Sequence, residues 1–165
     1  MNKTQILNKK QIHQKLNRIA WQIFESNYEE NKLVIVGISG NGYELAKRLS
    51  HIISDISEID VQLAEIKINK KEPFYSITEI ELDEQEYTNK VVILVDDVLN
   101  SGKTMIYAVK HFLNVPLKKI ISVTLIDRKH HRFPIRTDYS GLVLSTSMKD
   151  HVTVKLGKND VVYLK

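Results

Sequence analysis

At 165 residues, 42% of them apolar, and with a formal charge of +4, the chain has the mass for a proper core and the composition of a soluble globular domain. No apolar run approaches the length of a bilayer span, no cysteine is present for a disulfide, thiol nucleophile or thiolate metal site, and MNKTQILNKKQIHQK carries no signal-peptide h-region. The expectation is one domain over residues 1–165, cytoplasmic and away from membranes, with a mild basic excess that fits a polyphosphate substrate, RNA or solubility and selects none of them.

Asn8 followed by Gln11 has the form of a capping box. Ile12, Leu16, Ile19, Ala20, Ile23 and Phe24 then recur at helical spacing and predict an amphipathic helix to about Ser26. Residues 33–38 are a compact apolar run, read as a buried strand. SGNG follows, and Leu45, Ala46, Leu49, Ile52 and Ile53 mark the inner face of a second helix. A strand is expected over 61–68. Residues 69–90 are polar and weakly patterned, which predicts a long loop with a short strand at 77–82. Residues 91–95 form another buried strand, and Met105, Ile106, Ala108, Val109, Phe112 and Leu113 mark a third helix. Further strands are expected over 119–126, 139–144, 152–156 and 161–164. Strand–loop–helix units in series predict an α/β fold, a parallel sheet with helices on both faces. Ligands of such sheets lie beyond the carboxyl ends of the strands, which singles out the loops at 39–42 and 96–104.

The stretch VVILVDDVLNSGKTMIYAV, residues 91–109, ends its apolar run on two aspartates and a loop reading SGKT. A triphosphate P-loop needs glycine five positions before Gly102, and Asp97 stands there, so that reading fails. GNGYEL misses a dinucleotide fingerprint because Leu45 would crowd the helix–strand packing of the third glycine. GISGN misses the nucleophile elbow at Asn41, and the histidines show no zinc-site spacing. Asp96 and Asp97 suit the vicinal hydroxyls of a sugar and the hydration shell of Mg²⁺. Asn100, Ser101, Gly102, Lys103 and Thr104 then open a helix whose free N–H groups, hydroxyls and positive dipole end suit a single phosphate. A ligand carrying ribose and a 5′-phosphate satisfies both halves at once.

VILVDDVLNSGKT resembles the phosphoribosyl-pyrophosphate (PRPP) signature of the type I phosphoribosyltransferases. LVIVGISGNGYELAKRL resembles their pyrophosphate-loop region. LIDRKHHRFPIRTDYSG and the opening LNKKQIHQKLNRIAWQI resemble the subfamily of pyrimidine operon attenuation regulators that are also uracil phosphoribosyltransferases. The resemblance covers nearly the whole chain, weakest at 69–90. It implies the type I phosphoribosyltransferase fold, a twisted, mainly parallel sheet flanked by helices with a small C-terminal hood. It further implies Asp96 and Asp97 on the ribose hydroxyls, with Mg²⁺ reached through water, and Asn100 to Thr104 around the 5′-phosphate. Ser39, Gly40, Asn41 and Gly42 would meet pyrophosphate, in a loop whose relatives often hold one cis peptide. The implied reaction displaces pyrophosphate from C1 of the ribose with a nitrogen of a nucleobase, uracil first.

Several positions depart from the relatives. They carry T-R-G where this chain has Gly40-Asn41-Gly42, so a loop cation is missing. Lys70, Lys71 and Tyr75 are candidates for a closing lid in a segment shorter than theirs; the alternative is a solvated basic turn. The base is expected under a hood around Leu144, Ser145 and Thr146, where LSTS replaces I-P-T-S. Arg128 and Arg136 are candidates for holding base or phosphate, or for ion pairs. Asn100 stands where purine enzymes place an aspartate toward the base, which argues against hypoxanthine or guanine. The alternative function is RNA-binding regulation. Of its expected face Arg18, His130 and Arg136 match, while Trp21 and His131 replace a histidine and an arginine, so catalysis ranks first. The resemblance also implies a homo-oligomer, dimer or tetramer; Trp21 on the first helix is either part of that contact or buried in the monomer.

Overall fold

The computed structural model describes residues 3–74 and 78–165. In chain order the elements are β1 (Thr4–Asn8), α1 (Lys9–Ser26), β2 (Lys32–Ile38), α2 (Asn41–Ile56), β3 (Asp60–Lys67), β4 (Glu79–Ile80), α3 (Glu84–Tyr87), β5 (Val91–Leu99), α4 (Lys103–Phe112), β6 (Lys119–Asp127), β7 (Tyr139–Val143), β8 (Val152–Lys155) and β9 (Val161–Leu164). Among the described residues they make a six-stranded sheet ordered β4-β3-β2-β5-β6-β7 and a three-stranded sheet ordered β1-β9-β8. The large sheet is parallel apart from the β3–β4 pair, and the small one is antiparallel throughout.

The central strands explain the layering. Along β2 and β5 every second side chain enters one of two cores. Leu33, Ile35, Val91, Ile93 and Val95 face the core shared with α1, α2 and the small sheet. Val34, Val36, Ile38, Val92 and Leu94 face the core shared with α4 and Tyr87 of α3. A strand apolar on both faces can be satisfied only between two layers, which is why these runs show no polar alternation. α1 opens on the expected capping box, with Asn8 and Gln11 exchanging side-chain-to-backbone bonds at 2.9 Å each.

Three differences from the sequence reading have physical causes. β1 precedes α1 and completes the small sheet; five residues with one buried side chain carry too little periodicity to announce a strand. The hood therefore draws on both ends of the chain. The strand expected at 77–82 shrinks to Glu79–Ile80, with Ile77 outside the described residues, and α3 follows under a second capping box made by Asp83 and Glu86. β5 runs on to Leu99 because Val98 and Leu99 still pair with Ile126 and Asp127 of β6. Trp21 is 47% exposed, set edge-on to Phe24 at 5.9 Å, so it is not buried within the monomer.

β2 leads by way of α2 to β3 on one side, and β5 by way of α4 to β6 on the other. The connections diverge between these two neighbouring strands, and a crevice opens there at their carboxyl ends. Gly37 pairs with Val95, which brings the turn after β2 level with Asp96.

Candidate functional site

Each wall of the crevice is a consequence of local chain geometry. Gly40 has φ 91° and ψ −131°, a conformation closed to side-chain-bearing residues, and lets the chain turn directly from β2 into α2. Gly42 then packs on β5. A Cβ there would lie 2.8 Å from the Val95 carbonyl oxygen and 3.1 Å from the Asp96 Cα. The first helical bond of α2 runs from the Glu44 N–H to the Gly40 carbonyl at 3.2 Å. The N–H groups of Asn41, Gly42 and Tyr43 precede it, aimed at the crevice end with the positive pole of the helix. No peptide among the described residues is cis, so the cis bond implied by the resemblance is absent.

Asp96 and Asp97 lie inside β5 rather than in the loop after it, so strand pairing fixes their backbone. Asp96 is 4% exposed. Its Oδ1 accepts the Asp97 N–H at 2.9 Å and the Lys70 ammonium at 3.2 Å, and Lys70 also stands 3.8 Å from Asp97 Oδ1. Burial pushes the Asp96 carboxyl up to about 7, the Asp97 charge adds to the shift, and Lys70 only partly opposes it. Burial alone would lower the Lys70 ammonium, but the two carboxylates outweigh it and hold its pKa above the ordinary value. Asp97 is anchored from both sides: Oδ1 accepts the Val98 N–H at 2.8 Å, and Oδ2 accepts the Asn41 side chain at 3.0 Å.

Asn100 to Thr104 line a cleft of about 230 Å³ that continues to Asp96, Asp97 and Lys70. Gly102, at φ 82°, caps α4, and no side chain caps the helix in its place. The first helical bond is Ile106 N–H to the Gly102 carbonyl at 3.0 Å, which leaves the Thr104 and Met105 N–H groups ahead of it. The Ser101 carbonyl accepts the N–H groups of Arg132 and Phe133 at 2.9 and 3.1 Å, tying the loop to the segment after β6. A Cβ on Gly102 would meet Ile135 Cγ2 at 2.5 Å. Gly102→Ala is therefore expected to destabilise the protein by about 1–3 kcal/mol, from the left-handed backbone and the clash together. Chemical denaturation checks this, and an unchanged midpoint would mean that the loop adopts another path.

Lys70 and Lys71 lie against the site. Besides the Lys70 contacts, the Lys71 carbonyl accepts the Lys103 ammonium at 3.4 Å, so the segment bridges the acid pair and the phosphate-sized loop. Tyr75 lies outside the described residues. Ser39 is held by its N–H to the Ile66 carbonyl at 3.0 Å.

Arg128 is buried, and its guanidinium reaches Asn100 Oδ1 at 3.0 Å, Thr146 Oγ1 at 3.0 and 3.1 Å, and the Ser147 and Asp150 carbonyls at 3.2 and 2.6 Å. These partners are neutral oxygens, so its work is to fix the hood segment to Asn100. Leu144 is anchored by its N–H to the Asp127 carbonyl at 2.8 Å, and the Thr146 carbonyl accepts the His130 Nε2–H at 2.7 Å. Ser145 and Arg136 are exposed. The sequence held no signal for the Asn41–Asp97 bond or the Arg128–Asn100 bond, since both join residues far apart in the chain.

The profile described as Phosphoribosyl transferase domain matches residues 2–156. The chain is 35% identical over 170 residues to the Bifunctional protein PyrR of Oceanobacillus iheyensis, covering 96% of this chain and 93% of the relative. It is 31% identical over 166 residues to the Pyrimidine operon regulatory protein of Lactococcus lactis subsp. lactis, covering 97% and 94%. Its fold is similar to the hypoxanthine phosphoribosyltransferase of Trypanosoma cruzi, with a TM-score of 0.78 at 16% identity over 96% and 95% of the two chains.

Proposed function

This chain belongs to the phosphoribosyl transferase domain family, and from that premise we propose that it transfers the ribose 5-phosphate of PRPP to a pyrimidine base, uracil first, releasing pyrophosphate. The observation that carries the reading is the buried acid pair Asp96–Asp97 opening into the same cleft as the uncapped N-terminus of α4. The pyrimidine preference rests on the relatives named for pyrimidine regulation; the purine enzyme at 16% identity speaks for the fold alone.

In this reading the 5′-phosphate lies on Asn100, Ser101, Gly102, Lys103 and Thr104, drawn by the open N–H groups and the helix dipole. Asp96 and Asp97 accept the ribose hydroxyls, and the N–H groups after Ser39 and Gly40 meet the pyrophosphate. The base enters beside Asn100 under Leu144, Ser145 and Thr146. The bond from the base nitrogen to C1 forms as the C1–oxygen bond breaks. Pyrophosphate leaves with the electron pair, and the base N–H proton passes to water. No side chain is needed as a nucleophile; the help comes from placing charge and holding the leaving group.

The donor set fits Mg²⁺. Among the described residues no cluster of three or more acidic, histidine or cysteine side chains is arranged to hold a metal, and Mg²⁺ at such sites takes one or two carboxylates with water and phosphate oxygens. A cation, the Lys70 ammonium, already rests against both carboxylates. When bound, Mg²⁺ would screen the pyrophosphate charge as it develops. Displacement of Lys70 from the acid pair by the ligand would free its ammonium to supply the cation that Gly40-Asn41-Gly42 lacks. Relatives named as regulators support RNA binding as a second reading. It ranks lower because Arg18 is spent on the Ser140 and Gly141 carbonyls at 2.9 Å each and His131 on Asp127 at 3.1 Å.

The test is pyrophosphate release from PRPP and Mg²⁺ with a panel of nucleobases. Release with uracil and little with hypoxanthine or guanine is expected. Silence with every base, with PRPP bound in calorimetry, would overturn catalysis, and salt-dependent binding of a structured leader RNA would then raise the second reading.

A further inference from the structure

Asn41 is the first residue of α2, and its side-chain amide nitrogen donates twice: to Asp97 Oδ2 at 3.0 Å and to the Val154 carbonyl at 3.0 Å. Both of its N–H groups are spent there, so the amide is fixed in orientation. Val154 is buried in β8, the edge strand of the small sheet, which gives the amide a rigid support. A second strap ties α2 to the connection between β8 and β9: Arg48 of α2 meets Asp160, just ahead of β9, at 2.6 and 3.2 Å. That strap does not touch the acid pair.

We infer that Asn41 is a positioning residue for Asp97: it occupies Oδ2, so that Oδ1 is the oxygen turned toward Lys70 and the cleft. The inference rests on the proposed transfer reaction for its kinetic consequence, but the contact itself is independent of it. Oδ1 is already braced by the Val98 N–H at 2.8 Å. With Oδ2 held as well, the carboxylate cannot rotate about its χ2 without losing one bond or the other. A free carboxylate would have to be ordered at each binding event, a cost that falls on ligand affinity rather than on the chemical step.

The experiment compares Asn41→Ala, Asn41→Asp and Arg48→Met with the parent protein. Asn41→Ala is expected to raise KM for PRPP about tenfold and to change kcat less than about threefold. Asn41→Asp sets a carboxylate against Asp97, so it is expected to do worse than alanine at pH 8 and to recover toward acid pH, where a protonated carboxyl donates again. Arg48→Met breaks the other strap and is expected to lower Tm with KM unchanged. A purely structural Asn41 would instead make Asn41→Ala and Arg48→Met alike, losing Tm with no change in KM, and that result overturns the inference. A readout that needs no activity separates this from failure of the proposed reaction. The carboxyl carbon resonance of Asp97 is expected to move in Asn41→Ala and to stay in Arg48→Met. An unmoved resonance in Asn41→Ala overturns the inference, whether or not any base is a substrate.

Discussion

Asp97→Asn is expected to cut kcat/KM for PRPP by about 30- to 140-fold and to leave the fold intact. The loss follows from charge and from bond direction. Removing a charged acceptor from a ligand hydroxyl costs on the order of 2–3 kcal/mol, and each 1.4 kcal/mol is a factor of ten. The amide also puts a donor where only donors face it. Oδ1 accepts the Val98 N–H and Oδ2 accepts the Asn41 amide, so the new NH₂ opposes one of them. That conflict lies at the partly buried end of a strand, and its stability cost stays near 1–2 kcal/mol. Circular dichroism and a denaturation midpoint check the fold, and steady-state kinetics check the loss. Unchanged kinetics in a folded variant would show that the pocket is misassigned.

The elements that carry the site were legible to different depths. Residues 33–38 and 91–95 announce buried strands because both of their faces enter cores, so continuous apolar sequence is enough. The sequence cannot show that β5 continues through its two aspartates, because polar residues normally end an apolar run. Here pairing of Val98 and Leu99 with β6 overrides composition. The acid pair and the loop after it were readable because they are contiguous and each residue type has its own chemistry. Lys70, Asn41 and Arg128 were readable only as candidates. What gives each its place is a partner at least 26 positions away: Asp96 for Lys70, Asp97 and Val154 for Asn41, Asn100 for Arg128. Such pairings are products of the topology, which brings β2 and β5 together at the crevice and folds the chain's last strands back over it.

Asp96 is expected to make the apo protein lose stability as pH rises from about 4 toward about 7. A carboxyl with an ordinary pKa near 3.8 is pushed to about 7 in the fold, first by burial and then by Asp97. The folded state thus binds the proton more tightly than the unfolded one. The stabilisation is fully present below about 3.8 and is lost as pH rises through about 7, amounting to at most about 4 kcal/mol. Asp160, Glu44 and Asp150 act in the opposite direction. Their hydrogen bonds to Arg48, Lys47 and the Ser147 backbone lower them, so their contribution is present above their ordinary values and lost in more acid solution. The windows barely overlap, and between pH 5 and 8 Asp96 dominates among the carboxyls. Asp96→Asn removes the buried charge and is accordingly expected to raise Tm at pH 8 by several degrees, at about 2–4 °C per kcal/mol, with the gain shrinking toward pH 5. The difference between variant and parent cancels the histidines common to both. The same variant is expected to lose PRPP binding at every pH if, as proposed, the ligand takes the Asp96 carboxylate whose ionisation the fold resists. In the parent, binding of PRPP with Mg²⁺ near pH 6.5 is then accompanied by release of a proton, readable by calorimetry in buffers of different ionisation enthalpy. A Tm difference that stays constant from pH 5 to 8, with no proton released, would mean that Asp96 is already ionised in the free protein and that the strain resides elsewhere.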